Sequence, residues 1–317
     1  MIPGSMSATV SFRCAGVLTF LLCFGTVGSA PHFQQGILLP LQATVPDTAN
    51  QPPKLLDTTE LPKPRVRAGA AIVYNPATHE ILWESNGFQR RPIASITKVM
   101  TALVFLEQEH DLRSDVVISR RDVRRASTTY LRRGERISLY NLLHLALVAS
   151  DNAAARVLAR VSLWGTDGFV KKMNAKAQQM GLRGTVFTDP SGLHSGNVST
   201  AYDLSRLISY ATTRPIISTI MRKPSHRMKT SRRQLTVRNT NKLLKGRLLV
   251  HGGKTGYIDA SGYCLAAVVK LPDSDPLSLV VLGAGSNSRR FSEVRRLADW
   301  VSKNVDALAA PDIRPTV

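Results

Sequence analysis

The most constraining feature of this sequence is that strand-like segments lie at both ends of its body while helical segments fill the middle. Near the start, the apolar runs Ala68–Tyr74 and Ile81–Trp83 flank a turn, which predicts a β-hairpin. Strand-like runs return only near the end, at Leu248–Val250, Gly262–Lys270 and Leu277–Ala284. This order predicts an α/β fold with one antiparallel sheet built from both chain ends around an inserted helical subdomain, about residues 94–247. A cleft between the two is the natural place for a site.

Six segments repeat apolar residues with the period of an α-helix. They are approximately Ser95–Leu106, Leu139–Val148, Ala153–Val161, Phe169–Met180, Tyr202–Tyr210 and Arg290–Val301. The first is apolar around most of its circumference, which predicts a helix buried at the centre of the fold.

The first 30 residues are typical of a secretory signal peptide. They hold one charged residue, Arg13, then the apolar run Ala15–Val27 and small residues up to Ala30. The run is short for a membrane-spanning helix, although an uncleaved anchor is the alternative. The sequence therefore predicts an exported protein, either released by signal cleavage or held at the membrane by an uncleaved signal, with Met6 as an alternative start.

Residues 31–65 contain seven of the 17 prolines and lack apolar periodicity, so we expect a disordered linker. The folded domain is expected over residues 66–304, with a tail at 305–317. Signal cleavage would remove Cys14 and Cys23, so no internal disulfide is expected. Cys264, the remaining cysteine, lies in an apolar strand and is interpreted as a core residue rather than a nucleophile.

The net charge of +20 predicts attraction to an anionic partner: nucleic acid, a membrane surface or an acidic polymer. The predicted export and the lack of basic residues interleaved with aromatic ones argue against nucleic acid. The paired arginines Arg120-Arg121, Arg124-Arg125 and Arg132-Arg133 indicate either a solvated face or contact with anionic wall polymer or phospholipid. The seven histidines form neither H-E-x-x-H nor H-x-H, so no metal site is expected.

Ser95 and Lys98 form an S-x-x-K motif at the start of the first predicted helix. A spacing of three places both side chains on one face of a helix. The apolar surroundings should lower the pKa of Lys98, and a neutral lysine can deprotonate a serine hydroxyl. A capping serine beside a solvent-reaching lysine is the simpler alternative for this motif alone.

Two further motifs follow, one between two predicted helices and one next to a predicted strand. Ser150-Asp151-Asn152 separates two predicted helices, where all three residue types are ordinary caps, and Asp151 is interpreted as structural. The same S-x-N spacing at Ser195–Asn197 lies in a glycine-rich loop and ranks below it. Lys254-Thr255-Gly256 follows two glycines, which would let another backbone, such as a peptide substrate, approach the strand closely. A twisted strand end with an exposed lysine is the alternative.

In this order the three motifs are the signature of penicillin-binding proteins and class A β-lactamases. The sequence resembles the low-molecular-mass penicillin-binding proteins, the serine D-alanyl-D-alanine peptidases, from about Ala68 to Trp300. Further similar stretches are Pro92–Lys98, Met100–Ala102, Asp189–Leu193 and Asn239–Asn241. The resemblance implies the serine β-lactamase/transpeptidase-like fold, a periplasmic location and a reaction without cofactor on peptidoglycan stem peptides.

The resemblance also implies roles for individual residues. Ser95 would be the acylated nucleophile, also for a covalent β-lactam adduct, Lys98 its general base, and Ser150 a proton relay to the leaving amine. The implied substrate-binding residues are Asn152, Lys254, Thr255 and Gly256. The backbone N–H groups of Ser95 and Tyr257 would form the oxyanion hole.

Four functions remain distinguishable at this point. A class A β-lactamase also needs a glutamate that activates the deacylating water, and no glutamate lies between Asn152 and Lys254. The shortness of the chain after Trp300 resembles the DD-endopeptidases, which cut D-alanyl cross-links, more than the carboxypeptidases, which carry a further domain. We therefore expect an endopeptidase, with a carboxypeptidase as the alternative and a non-catalytic wall-binding protein as a further one.

Overall fold

A computed structural model describes residues 53–272 and 274–309 of the chain. The predicted signal peptide, most of the predicted linker and residues 310–317 of the predicted tail lie outside these ranges. In the ranges described, no helix is both long enough and apolar enough to cross a membrane.

A six-stranded sheet forms the centre of the fold. In chain order the strands are β1 (Lys54–Leu55), β2 (Ala70–Asn75), β3 (Glu80–Ser85), β4 (Arg91–Pro92), β5 (Asp115–Val117), β6 (Arg136–Ser138), β7 (Val198–Ser199), β8 (Ser225–Lys229), β9 (Gln234–Arg238), β10 (Leu249–Ile258), β11 (Gly262–Lys270) and β12 (Pro276–Ala284). The central sheet has the order β1-β3-β2-β12-β11-β10, and all its pairs are antiparallel except β1 with β3. Strands from both chain ends therefore meet where β2 pairs with β12, as the sequence predicts.

Helices occupy the middle of the chain and its end. They are α1 (Thr97–Phe105), α2 (Arg120–Val123), α3 (Leu139–Val148), α4 (Asn152–Val161), α5 (Gly165–Gln179), α6 (Ala201–Thr213), α7 (Pro215–Met221), α8 (Asn287–Lys303) and α9 (Val305–Ala309), with short 3-10 helices at Ala94–Ile96 and Lys242–Lys245. Each expected helix is present within a few residues at either end. Polar residues cap several of them; for example, the Asp151 carboxylate accepts a hydrogen bond from the Ala154 N–H at the start of α4.

The sheet separates two hydrophobic cores. One face packs against the helical subdomain, where Ile72, Val280 and the fully buried helix α1 belong to one cluster. The other face packs against α8, through residues such as Val281 and Leu297. The expected burial of the first helix is confirmed, because every residue of α1 is buried.

The chain before residue 66 contributes to the folded body, whereas the sequence places it in the linker. Lys54 and Leu55 pair with β3, and Leu56 is 2% exposed. The Trp300 indole N–H donates to the Pro62 carbonyl at 2.6 Å. These apolar and backbone contacts anchor a segment whose proline content alone indicates a linker.

The hairpin of β8 and β9 is not anticipated from the sequence. Its inner residues, such as Met228 and Val237, are buried, while Arg227 and Lys229 point outward. Two buried positions are too few to give a clear alternating pattern among so many charges. Cys264 is buried in β11 and carries no disulfide, in agreement with a core position.

Candidate active site

Ser95 lies on a strained turn between the sheet and α1. It occupies the middle of the 3-10 helix Ala94–Ile96, and Ala94 has φ +48°, a left-handed conformation that favours glycine. Two glycines allow the surrounding backbone to approach it. A Cβ on Gly192 would lie 2.0 Å from the Ala94 carbonyl oxygen, and a Cβ on Gly256 would lie 2.6 Å from the Ile93 carbonyl oxygen. The turn is therefore held closely between two other segments, with the Ser95 side chain half-buried.

Lys98 is fully buried one turn further along and faces Ser95. Its Nζ lies 2.8 Å from Ser95 Oγ, and it donates to Asn152 Oδ1 at 2.6 Å and to the Ser191 carbonyl. Burial lowers the pKa of Lys98 to about 7, although the carboxylates of Asp151 and Asp189 oppose this shift. A substantial fraction of Lys98 is therefore neutral at neutral pH and able to accept the proton of Ser95.

The junction of α3 and α4 brings the second motif to the same place. Ser150 has φ +61°, and Asn152 Nδ2 donates to the Ala126 carbonyl at 2.7 Å while its oxygen meets Lys98. Asp151 points the other way. Its carboxylate accepts from the Tyr130 N–H at 2.6 Å, among others, which agrees with its interpretation as structural.

The third motif lies on β10, an edge strand of the central sheet. Lys254 Nζ donates to Ser150 Oγ at 2.8 Å, and Thr255 Oγ1 donates to Thr240 Oγ1 at 2.7 Å. Gly256, next along the strand, lies against the turn that carries Ser95. Because β10 pairs only with β11 within the sheet, its other edge is available to an extended peptide beside the serine.

Lys254 is also fully buried, and this determines its electrostatics. Burial lowers the pKa of Lys254 well below its usual value, and the cations of Lys98 and Arg290 lower it further. An arriving carboxylate would reverse this effect by favouring the charged ammonium. The charge of Lys254 is thus coupled to the ligand.

Two residues that the motifs do not include organise the site. The Asp189 carboxylate accepts from the N–H groups of Ser191, Gly192 and His194, which fixes the loop whose carbonyl meets Lys98. Burial alone would raise the pKa of Asp189, but these hydrogen bonds hold it below its ordinary value. The Asp-Pro-Ser-Gly turn is the sequence signal for this loop.

Arg290 is the second organising residue, and sequence reasoning does not identify it. It is 7% exposed, and its Nη1 donates to the Gly256 carbonyl at 2.9 Å. Burial lowers its pKa to about 10. Only the folded structure brings α8 beneath this strand, so no local sequence signal identifies the contact.

The remaining sequence candidates are placed as follows. Tyr257 is exposed at the end of the third motif, and its ring stacks on Tyr263 with centroids 4.2 Å apart. The competing S-x-N motif lies in the loop that Asp189 organises, where Asn197 Nδ2 donates to that carboxylate. Among the described residues, no group of histidine, cysteine and carboxylate side chains could hold a metal ion.

The structure therefore brings the three motifs into one hydrogen-bonded site. Lys98 contacts Ser95 and Asn152, while Lys254 contacts Ser150. Each lysine faces a serine hydroxyl in a buried environment, which is the arrangement of an activated nucleophile with a second group that can move a proton. Such a site suits acyl transfer.

Comparison with known proteins agrees with this chemistry. A family model described as D-alanyl-D-alanine carboxypeptidase matches residues 57–286. The D-alanyl-D-alanine endopeptidase of Pseudomonas aeruginosa is 34% identical over 84% of this chain and 86% of its own length. That of Escherichia coli K12 is 32% identical over 86% and 89%. The crystal structure of the Streptomyces K15 DD-transpeptidase is 27% identical, with a TM-score of 0.73 over 77% of this chain and all of that one.

Proposed function

The chain belongs to the D-alanyl-D-alanine carboxypeptidase family of serine peptidases, and we propose that its own reaction is the endopeptidase cleavage of D-alanyl cross-links in peptidoglycan. The two relatives described above are both named endopeptidases and align over most of this chain. The observation that carries the chemistry is the 2.8 Å contact between buried Lys98 and Ser95. A carboxypeptidase that removes a terminal D-alanine from a monomeric stem is the alternative.

In the proposed acylation step, neutral Lys98 takes the proton of Ser95 while Oγ attacks the D-alanyl carbonyl. The bond between Oγ and carbon forms, and the carbonyl electron pair moves onto oxygen. The backbone N–H groups of Ser95 and Tyr257 would stabilise this oxyanion, each contributing on the order of 3 kcal/mol. The approach of Gly256 to the Ser95 turn supports such an arrangement.

The tetrahedral intermediate then collapses with departure of the amine. Ser150, in contact with Lys254, gives its hydroxyl proton to the leaving nitrogen. The proton that Lys98 took from Ser95 then passes to the Ser150 oxygen, which leaves Ser150 protonated and Lys98 neutral. The product is an acyl-enzyme on Ser95, which water hydrolyses by the reverse order of proton transfers. Asn152 and Thr255 bind the peptide, which lies along the open edge of β10.

Mass spectrometry of reaction products tests the preferred bond. The enzyme is incubated with cross-linked muropeptide dimers and, separately, with monomeric pentapeptides. We expect the dimers to be cut, with no cleavage by Ser95→Ala and full cleavage by Ser195→Ala, the serine of the competing motif. Loss of a terminal D-alanine from monomers, with dimers intact, would establish the carboxypeptidase instead.

Penicillin should acylate the same serine, and the resulting acyl-enzyme should be hydrolysed slowly. The region between Asn152 and Lys254 has no glutamate to activate a deacylating water as in class A β-lactamases. A fluorescent penicillin should therefore label the unmodified enzyme and not Ser95→Ala, with the label persisting over many minutes. Rapid turnover of the antibiotic would contradict this proposal.

We further propose that the protein is exported and acts in the periplasm, in contact with an anionic component of the envelope. The apolar segment before Ala30 and the charge of +20 support this location. Amino-terminal sequencing of the protein recovered from cells would test cleavage after Ala30, and a retained first residue would indicate an anchor.

A further inference from the structure

The chain contains two segments whose exposed acidic and basic side chains are all positively charged. Residues 204–258 contain thirteen lysines and arginines and no aspartate or glutamate. Residues 119–150 contain seven arginines and two acids, Asp122 and Glu135, and both acids are buried in ion pairs with arginine. No carboxylate in these two segments is therefore exposed to neutralise the cations around it.

Hydrogen bonds join the two segments into one surface. The Ser231 N–H donates to the Arg136 carbonyl at 2.9 Å, and the Arg136 N–H donates to Ser231 Oγ at 3.0 Å. Arg233 forms an ion pair with buried Glu135 at 2.9 Å. The turn of the β8–β9 hairpin is thus fixed on the loop that precedes β6.

We call the exposed cations of residues 132–136, of β8 and of the turn that follows β8 the basic surface. It comprises Arg132, Arg133, Arg136, Arg227, Lys229 and Arg232. On the hairpin, Arg227 and Lys229 lie opposite the uncharged Thr236 and Gln234. Charges of one sign on a fixed scaffold create a positive potential in the solvent above them.

Two chain connections link the basic surface to the motifs of the catalytic site. Its loop continues into Tyr130, whose N–H binds the Asp151 carboxylate within the second motif. Its hairpin continues from Arg238 to Thr240, whose hydroxyl meets Thr255. A polymer that extends well beyond a single cross-link can therefore contact both the cleft and these cations.

We propose that the basic surface binds free carboxylates of neighbouring stem peptides on the same peptidoglycan, and so retains the enzyme on the wall between cuts. This inference rests on the proposed function for the identity of the polymer. Arginine, which makes five of the six cations, binds carboxylates with two parallel hydrogen bonds.

A lipid surface is the competing partner, and the composition of the hairpin argues against it. Protein surfaces that enter a membrane interface combine cations with exposed apolar or aromatic side chains. The outward positions of the hairpin hold Ser225, Gln234 and Thr236 beside the cations instead. The hairpin therefore suits an aqueous polyanion.

Binding to isolated sacculi tests the proposal. The hairpin triple variant Arg227→Gln, Lys229→Gln, Arg232→Gln is compared with a control triple on α8, Arg289→Gln, Arg295→Gln, Lys303→Gln, whose cations are also exposed. All proteins carry Ser95→Ala, so that the sacculi stay intact. We expect the hairpin triple to weaken binding at least tenfold at low salt and to reduce its salt dependence, and the control triple to change it less than twofold.

Three further measurements make every outcome decisive. Penicillin labelling of the same triple variants without Ser95→Ala shows whether they are folded. Both triple variants should cleave soluble muropeptide dimers at the unmodified rate, because the dimers are too small to reach across the basic surface. Equal losses in both triples would overturn the proposal in favour of net charge alone. Loss of binding to anionic phospholipid vesicles, with sacculus binding intact, would assign the surface to lipid. Failure to cut soluble dimers would overturn the proposed function, while the sacculus binding measured with Ser95→Ala remains interpretable.

Discussion

Replacing Asn152 by aspartate tests whether Lys98 is the base that activates Ser95. The two side chains are nearly identical in shape, and Asn152 Oδ1 accepts a hydrogen bond from Lys98 Nζ at 2.6 Å. The substitution therefore places a carboxylate directly against the ammonium. An opposite charge at this distance raises the pKa of a lysine by about 1 to 3 units.

The expected size of the effect follows from the pKa of about 7 that burial gives to Lys98. In the unmodified enzyme about half of Lys98 is neutral at pH 7. With a pKa raised to roughly 8 to 10, the neutral fraction at pH 7 falls to about 9% to 0.1%. The acylation rate at pH 7 should fall by about 5- to 500-fold and should recover as the pH is raised.

The assay is the second-order rate constant for acylation by a fluorescent penicillin between pH 5 and 10. For the unmodified enzyme we expect a rise of about tenfold from pH 6 to pH 8. The Asn152→Ala variant removes the amide without adding charge, so its midpoint should not move upward. A loss of rate in Asn152→Asp with an unchanged midpoint would refute the role of Lys98 as base and leave Asn152 only a substrate-binding residue.

Three further predictions follow from geometry and burial. Gly256→Ala should reduce acylation at least a hundredfold, because its Cβ would lie 2.6 Å from the Ile93 carbonyl oxygen, whereas Gly246→Ala, with 3.4 Å of space, should have little effect in the same labelling assay. His144 is fully buried, and burial lowers its pKa from 6.5 to about 4. The unfolded chain therefore binds a proton first as the pH falls, and urea titrations should show a loss of about 3 kcal/mol between pH 6.5 and pH 4 that is absent in His144→Phe. Burial lowers the pKa of Lys254 well below its usual value, and a bound carboxylate would raise it, so binding of a carboxylate ligand should take up protons at pH values between the two pKa values. Calorimetry in buffers of different ionisation enthalpy would detect this uptake, and equal heats in all buffers at every pH would contradict it.

The sequence predicts contacts within one helical turn better than contacts between distant segments. The spacing of Ser95 and Lys98 correctly implies that they face each other, since a single helical turn fixes that geometry. The contact of Lys98 with Asn152 spans 54 residues and depends on how α4 packs against α1. The position of Arg290 beneath β10 likewise results from the packing of α8 on the sheet.

The sequence predicts the elements whose apolar residues recur regularly, and it does not predict the β8–β9 hairpin, whose alternating pattern is interrupted by charged residues. The strands β2, β3, β11 and β12 are apolar enough to identify from sequence. Cationic outward positions obscure the β8–β9 hairpin. The prolines before residue 66 conceal the first folded residues, because Leu56 is buried in the core that also holds residues of β3 and α8 and no local pattern indicates this.

The pairing of β2 with β12 has a consequence for when activity can begin. Ala70 and Leu282 are partners in the sheet, so this ladder cannot close until nearly the whole domain has been synthesised. Closing so long a loop is entropically unfavourable and makes folding slow. The turn that carries Ser95 lies against β10, a strand that also comes late in the chain. A chain whose synthesis has not yet reached β10 therefore lacks the strand against which the turn of Ser95 packs, and such a chain should not be acylated by penicillin.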